Sequence, residues 1–238
     1  MQLFYSQDLK ANETQFRFGK QESRHISKVL RKQIGATLHL TNGRGDLFTA
    51  TLQSNDPKCC VVIITDVSQK KPLPYSLHLA ISPTKLNDRF EWFLEKATEI
   101  GITQITPIIC NRSERKVIKH PRYQKIILSA AKQSLTCHFP VLHPICSFKE
   151  FLEKQTQTPH QKLIAHCQDQ EKRALKSQIK PNDNHIVLIG PEGDFSDTEI
   201  SLATSMGYSG VSLGDRRLRT ETAAIVACHS VAYSNQIT

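Results

Sequence analysis

Two short segments near the C-terminus carry residue types suited to holding a small molecule and acting beside it. They are Gly190-Pro-Glu-Gly193, and Leu213-Gly214 followed by Arg216, Arg217 and Leu218-Arg-Thr-Glu-Thr-Ala223. Glycine lets the backbone approach a ligand closely, and proline stiffens the turn. Such a turn offers N–H and C=O groups to the edge of a purine or to ribose hydroxyls. Taken alone, Gly190–Gly193 also reads as an ordinary strand-to-helix connection. The second segment shifts the balance, because Arg216, Arg217 and Arg219 crowd one short loop. Guanidinium forks suit phosphate or an oxygen-rich base, although Arg216 and Arg217 taken singly also read as solvated. Arg219 lies beside a helix start. Glu221 reads either as a proton acceptor or as a first-turn carboxylate favoured by the helix dipole.

Both segments need strands and helices to hold them. From Leu77 onward strand patterns (Leu77–Ser82, Gln104–Cys110, Lys162–His166, His185–Ile189, Gly210–Leu213) alternate with helical ones (Asp88–Ile100, Pro121–Cys137, Ser196–Met206, Thr220–Tyr233). Weaker helical patterns fall around 148–155 and 170–179. This alternation predicts an α/β domain with a mostly parallel sheet covered by helices. Ser196 and Glu199 have capping-box spacing, and Phe195 and Ile200 sit where a hydrophobic staple places them. The 190–194 turn is therefore expected at the C-terminal end of a strand, where ligands bind in open α/β sheets. Thr220 is expected to cap the helix that follows it.

The first seventy or so residues read as a smaller β-rich unit. Ala36–Thr41 and Leu47–Leu52 flank Asn42-Gly-Arg-Gly45, a hairpin signal, and Val61–Thr65 is another strand. Ser23 to Gln33 fits one amphipathic helix with Ile26, Val29 and Leu30 on its apolar face. Gln69-Lys-Lys-Pro-Leu-Pro74 cannot continue a helix or central strand and reads as a linker, which divides the chain into 1–72 and 73–238.

Lys and Arg total 31 against 22 Asp and Glu, a net charge of +9 that favours a polyanionic partner over an acidic protein surface. The seven cysteines form no C-x-x-C pair, which argues against a disulfide framework and a zinc site and fits a reducing cytoplasm. No metal is implied by the histidine spacings. The N-terminal residues lack a signal-peptide pattern, and no apolar run reaches membrane-spanning length. The expectation is a cytoplasmic, non-membrane protein. Gly43-Arg-Gly45 is the one G-x-G in the chain and lies in a hairpin, so a Rossmann-type cofactor turn is not expected.

Gly190-Pro-Glu-Gly193 with Leu213-Gly214 and Leu218-Arg-Thr-Glu-Thr-Ala223 resembles the RsmE family of 16S rRNA uridine-N3 methyltransferases, of the SPOUT class. Lys96-Ala-Thr-Glu-Ile-Gly101 and Arg112-Ser-Glu-Arg115 are similar to that family's first helix and following basic loop. Arg24-His25 to Leu30-Arg31, then Gly35, are similar to its N-terminal PUA-like barrel. The chain departs from the family in having Gly193-Asp194 for a Gly-Gly pair. It also has Lys132-Gln133-Ser-Leu-Thr136 where a Glu-Gln pair followed by arginine is usual.

The resemblance implies a SPOUT-type parallel sheet with a trefoil knot, preceded by a small PUA-like β-barrel domain. It further implies S-adenosylmethionine as cofactor, 16S rRNA of the small ribosomal subunit as partner, and a homodimer. On that basis Leu188, Ile189, Gly190, Pro191, Glu192 and Gly193 line the cofactor pocket. Leu213, Gly214, Leu218, Arg219, Thr220, Glu221, Thr222 and Ala223 line it from the other side, with His166 on a third wall. Glu192 reads as a hydrogen-bonding group within its own turn. Arg219 is expected to stabilise charge on the uracil oxygens. RNA contacts are expected from Arg17, Arg24, Lys28, Arg31, Arg112, Arg115, Lys116, Arg216 and Arg217. Two alternatives stand beside this reading: an RNA-binding or ribosome-assembly module without catalysis, and a SPOUT methyltransferase acting at another RNA position.

Overall fold

The computed structural model describes residues 1–168 and 172–236. They divide into two units: Met1–Pro72 with Ala131–Phe139, and Leu73–Ala130 with the chain from Pro140 onward. Residues 170 and 171 of the helical pattern around 170–179 lie outside the described residues.

In the first unit, β1 (Leu3–Tyr5), β2 (Gln15–Arg17), β3 (Thr37–Thr41), β4 (Asp46–Ser54) and β5 (Val61–Gln69) form one sheet in the order β1-β3-β4-β5-β2. The β3–β4 hairpin closes through Asn42–Gly45, where Gly43 and Gly45 take φ of 74° and 106°. Asn42 fixes that turn by accepting from the Arg44 N–H at 2.9 Å and donating to Asp46 at 2.7 Å. Gly45 donates to the Cys137 carbonyl at 2.8 Å, and Lys132 pairs with Glu22 at 2.8 Å, so residues 131–139 are stitched into this unit.

The single helix expected over Ser23–Gln33 is not formed. A short helix α1 (Lys20–Arg24) passes into a π-helical turn over His25–Val29, and Arg31 takes a left-handed φ of 50°. The cause is tertiary. The Ser23 hydroxyl donates to the Phe18 carbonyl and accepts from the Cys60 N–H, pinning the helix start to its neighbours. Bonds of the i→i+5 type insert a residue into the turn, so Ile26 is fully buried while Val29 is 69% exposed.

The second unit contains β6 (Leu77–Ile81), α2 (Asn87–Ile100), β7 (Gln104–Ile109), α3 (His120–Gln133) up to Ala130, β8 (Val141–Leu142), β9 (Cys146–Ser147) and α4 (Phe148–Lys154). It continues with β10 (Gln161–Ala165), β11 (Arg173–Ala174), α5 (Leu175–Gln178), β12 (His185–Ile189), α6 (Asp197–Ser205), β13 (Ser209–Ser212) and α7 (Thr220–Ser234). The strands pair in parallel in the order β11-β13-β10-β12-β6-β7-β8, with β9 also beside β7. Every residue of β6 and β12 is buried, as parallel strands covered on both faces require.

Alternate side chains go to opposite layers. Leu77, Leu79, Ile81, Val187 and Ile189 join Phe90, Phe93 and Ala97 of α2 and Ala224, Ala227 and Val231 of α7. Ala80, Ile186 and Leu188 join Phe148 and Phe151 of α4 and Ile200 of α6. The small residues of α7 let it pack closely on α2, where the Cys228 Sγ lies 3.8 Å from the Ala97 carbonyl.

Histidines give this unit a pH dependence. His78 and His143 lie with ring centroids 5.2 Å apart, and burial pulls the His78 imidazole down to about 3. Burial also lowers His143, His160 and His185. A histidine depressed in the folded state binds its proton more readily when unfolded. Its stabilising effect is therefore complete above the ordinary histidine pKa and is lost as pH falls towards the folded value. Thermal unfolding should show stability falling below pH 6.5, with a slope of up to about 1.4 kcal/mol per pH unit per histidine. His78→Gln is expected to flatten that slope.

Candidate functional site

Strands β13, β10 and β12 are neighbours in the sheet, so the loops leaving their C-terminal ends meet. These are 166–168 after β10, 190–196 after β12 and 213–219 after β13. Two adjoining cavities open between them, of ≈ 580 Å³ and ≈ 260 Å³. Both share Ala165, Cys167, Asp194, Arg217, Leu218 and Ala223. Their combined size falls in the range of small-molecule sites.

Four ties of 3.1 Å or less hold the 190–196 turn to other segments. Thr220 Oγ1 donates to the Gly190 carbonyl at 3.1 Å, which joins the second segment directly to the first. Arg112 donates to the Gly193 carbonyl at 2.8 Å. The Lys85 N–H donates to Glu192 Oε1 at 2.9 Å. The Cys167 N–H donates to Asp194 Oδ2 at 2.9 Å. Below the turn, Ser196 and Glu199 form the expected capping box, with Phe195 and Ile200 both buried. An added Cβ at Gly190 would lie 3.1 Å from the Phe195 ring, tighter than ordinary van der Waals contact.

An RNA methyltransferase domain model matches residues 71–232, and an RNA methyltransferase PUA domain model matches residues 18–65. The ribosomal RNA small subunit methyltransferase E of Synechocystis is 31% identical, over 85% of this chain and 68% of that protein. The chain belongs to the ribosomal RNA small subunit methyltransferase E family. Its fold is a SPOUT-type parallel-sheet domain preceded by a PUA-like β-sheet domain.

The family member from Mesomycoplasma hyopneumoniae is 36% identical over 63% of this chain, a match spanning 65% of that relative's length. A probable rRNA-methyltransferase of Porphyromonas gingivalis superposes with a TM-score of 0.90 and 38% identity, covering 99% of this chain and 98% of the other. The methyltransferase E of Neisseria gonorrhoeae, solved bound to S-adenosyl methionine, superposes with a TM-score of 0.85 and 29% identity over 96% and 95% of the two chains.

Of the residues expected at the site, His166, Gly193, Leu213, Gly214, Arg216, Arg217 and Leu218 line the larger cavity, and Ile189, Gly190, Pro191, Glu192, Arg219 and Thr220 the smaller. Ala223 reaches both. Leu188, Glu221 and Thr222 line neither cavity. Leu188 faces the core beside Phe195 and Ile200, because successive strand residues alternate faces. Glu221 is 6% exposed, and its Oε1 lies 3.7 Å from Arg89 Nε on α2.

Thr220 does not cap α7. Arg219 occupies the cap position without a side-chain bond, and Thr220 spends its hydroxyl on Gly190 instead. The partner of Glu192 is likewise a distant loop at Lys85 rather than a group within its own turn. Burial lowers the His166 imidazole, and Lys172 adds to the effect while Asp194 opposes it.

Arg112 and Arg115 bind carbonyl oxygens: Arg112 that of Gly193, Arg115 those of Thr84 and Lys85 at 3.0 and 2.7 Å. Both brace the site. Arg17, Arg24, Lys28, Arg31, Lys116, Arg216, Arg217 and Arg219 are exposed. Cys167, Gln168, Lys172, Asp194 and Asp215 also line the larger cavity. No motif marked them, except that Asp194 stands out as a departure from a Gly-Gly pair. Among the described residues no group of three or more His, Cys, Asp or Glu side chains could hold a metal ion.

Proposed function

We propose that this chain is an enzyme that transfers a methyl group from S-adenosylmethionine to N3 of a uridine in 16S rRNA. The observation that carries the reading is the convergence of three strand-end loops on paired cavities, with an exposed arginine, Arg219, at the smaller one.

The residues present fit the cofactor. Ala165, Val211, Leu213, Leu218 and Ala223 give the larger cavity an apolar floor. Among the described residues no hydrogen bond uses the N–H groups of Asp215, Arg216, Arg217 or Leu218, so the loop offers free backbone donors for a purine edge. Bound there, S-adenosylmethionine supplies an already activated methyl group, so positioning of the nucleophile provides much of the acceleration.

Uracil N3 must give up its proton, to water at the open cavity, before it attacks, and a nearby positive charge favours the anionic base. Arg219 supplies that charge, reinforced by the N-terminal end of the α7 dipole. Glu221, paired with Arg89 outside the cavities, holds the first turn of α7. The knot of the SPOUT class belongs to the same reading, at the loops after β10, β12 and β13; Thr220 ties the last two together. We further assign a homodimer, with Leu86, Trp92 and Tyr233 as exposed apolar groups on or beside α2 and α7, and a cytoplasmic location. Among the described residues no helix is long and apolar enough to cross a membrane.

Calorimetric titration with S-adenosylmethionine tests the cofactor site: saturable binding at one site per chain is expected, and no heat of binding would contradict it. Arg24, Lys28 and Arg31 are exposed on one stretch of the first unit, and we assign them to the RNA backbone. Changing all three to Ala should weaken RNA binding and reduce the salt slope of log affinity by about 2–3. Cofactor affinity should not move. Unchanged RNA binding at low salt would remove these residues from the interface.

A further inference from the structure

We propose that Asp194 is a positioning residue for the cofactor, tying the wall at 166–168 to the turn at 190–195. The inference rests on reading the paired cavities as the S-adenosylmethionine site. Asp194 takes a φ of 64°, a left-handed backbone that glycine adopts without strain. Its N–H closes the turn onto the Pro191 carbonyl at 2.9 Å. A glycine would satisfy that backbone better, so the side chain must account for an aspartate here.

Both carboxylate oxygens are engaged. Oδ1 accepts the Phe195 N–H at 2.9 Å, and Oδ2 accepts the Cys167 N–H at 2.9 Å. The first bond stays within the turn. The second reaches the loop leaving β10, and Cys167 and Asp194 both line the two cavities. One carboxylate thus sets the spacing between two walls of the same pocket. Ionised acceptors make stronger hydrogen bonds than neutral ones, which holds the walls in place before the ligand arrives and lowers the ordering cost of binding.

Asp194→Gly and Asp194→Asn separate this role from simple stabilisation. Glycine keeps the left-handed φ and removes both oxygens. Asparagine tolerates the same φ and keeps one acceptor. For Asp194→Gly the dissociation constant for S-adenosylmethionine should rise about tenfold. Amide exchange at Cys167 in the free protein should quicken, while Tm holds or rises and the RNA KM is unchanged. Asp194→Asn should recover part of the affinity. Wild-type cofactor affinity in Asp194→Gly, or protected exchange at Cys167, would overturn the proposal. A wild-type protein that binds no S-adenosylmethionine would instead overturn the cofactor reading, and the proposal with it.

Discussion

Replacing Arg219 by Ala is expected to lower kcat for methyl transfer by about 10²–10³-fold, the usual effect of removing a group that stabilises developing charge. Arg219 is exposed, lines the smaller cavity, and occupies the cap position of α7 with its backbone extended. Among the described residues it has no salt-bridge or hydrogen-bonding partner for its guanidinium, so the group is free to meet a substrate. Its side chain lines the smaller of the paired cavities, so the rate is compared at saturating S-adenosylmethionine. Lysine at this position keeps the charge but not the planar fork and should restore only part of the rate. Single-turnover kinetics with saturating cofactor is the appropriate measurement. A wild-type kcat in Arg219→Ala would remove the residue from the chemistry.

The second large effect is expected from Gly190→Ala. The added Cβ would stand 3.1 Å from the Phe195 ring and 3.3 Å from the Phe195 backbone nitrogen. Phe195 has no exposed surface and packs on Phe148 with ring centroids 5.4 Å apart, so it has little room to retreat. Overpacking of this kind costs about 1–3 kcal/mol. The same shift moves the Gly190 carbonyl that Thr220 binds, which loosens the tie between the two cavity-forming segments. Thermal unfolding should show a lowered Tm, and calorimetry a cofactor affinity reduced by more than the stability change explains. Unaltered binding would mean that the 190–196 turn is not part of the cofactor wall.

The sheet of the second unit is legible in the sequence because its strands are short apolar runs with clear boundaries. His185–Ile189 is such a run, and α2 carries buried Phe90, Phe93, Leu94 and Ala97 at helical spacing. The capping box at Ser196 is legible for the same reason, since its parts lie three residues apart. Features set by distant partners are not legible in this way. Ser23 is held by Phe18 and Cys60, just ahead of the π-helical turn in a stretch with an α-helical pattern.

The site follows the same division. The glycines and arginines of the two segments announce themselves by type. Charge does not reveal partners, however: Arg112 and Arg115 resemble RNA contacts in sequence, yet bind carbonyls 81 and about 30 residues away. The pairing of Asp194 with Cys167, 27 residues apart, leaves no periodic trace at all. Glu221 looks catalytic from its neighbours Arg219 and Thr222, but one helical turn directs it to Arg89.

Methyl transfer to uridine N3 is tested most directly on the ribosomal subunit itself. Small ribosomal subunits lacking the modification are incubated with the protein and methyl-labelled S-adenosylmethionine, and the 16S rRNA is digested to nucleosides. Label in 3-methyluridine, dependent on the protein and formed far more slowly by Arg219→Ala, is the expected result. No label, or label on a ribose or another base, would contradict the account.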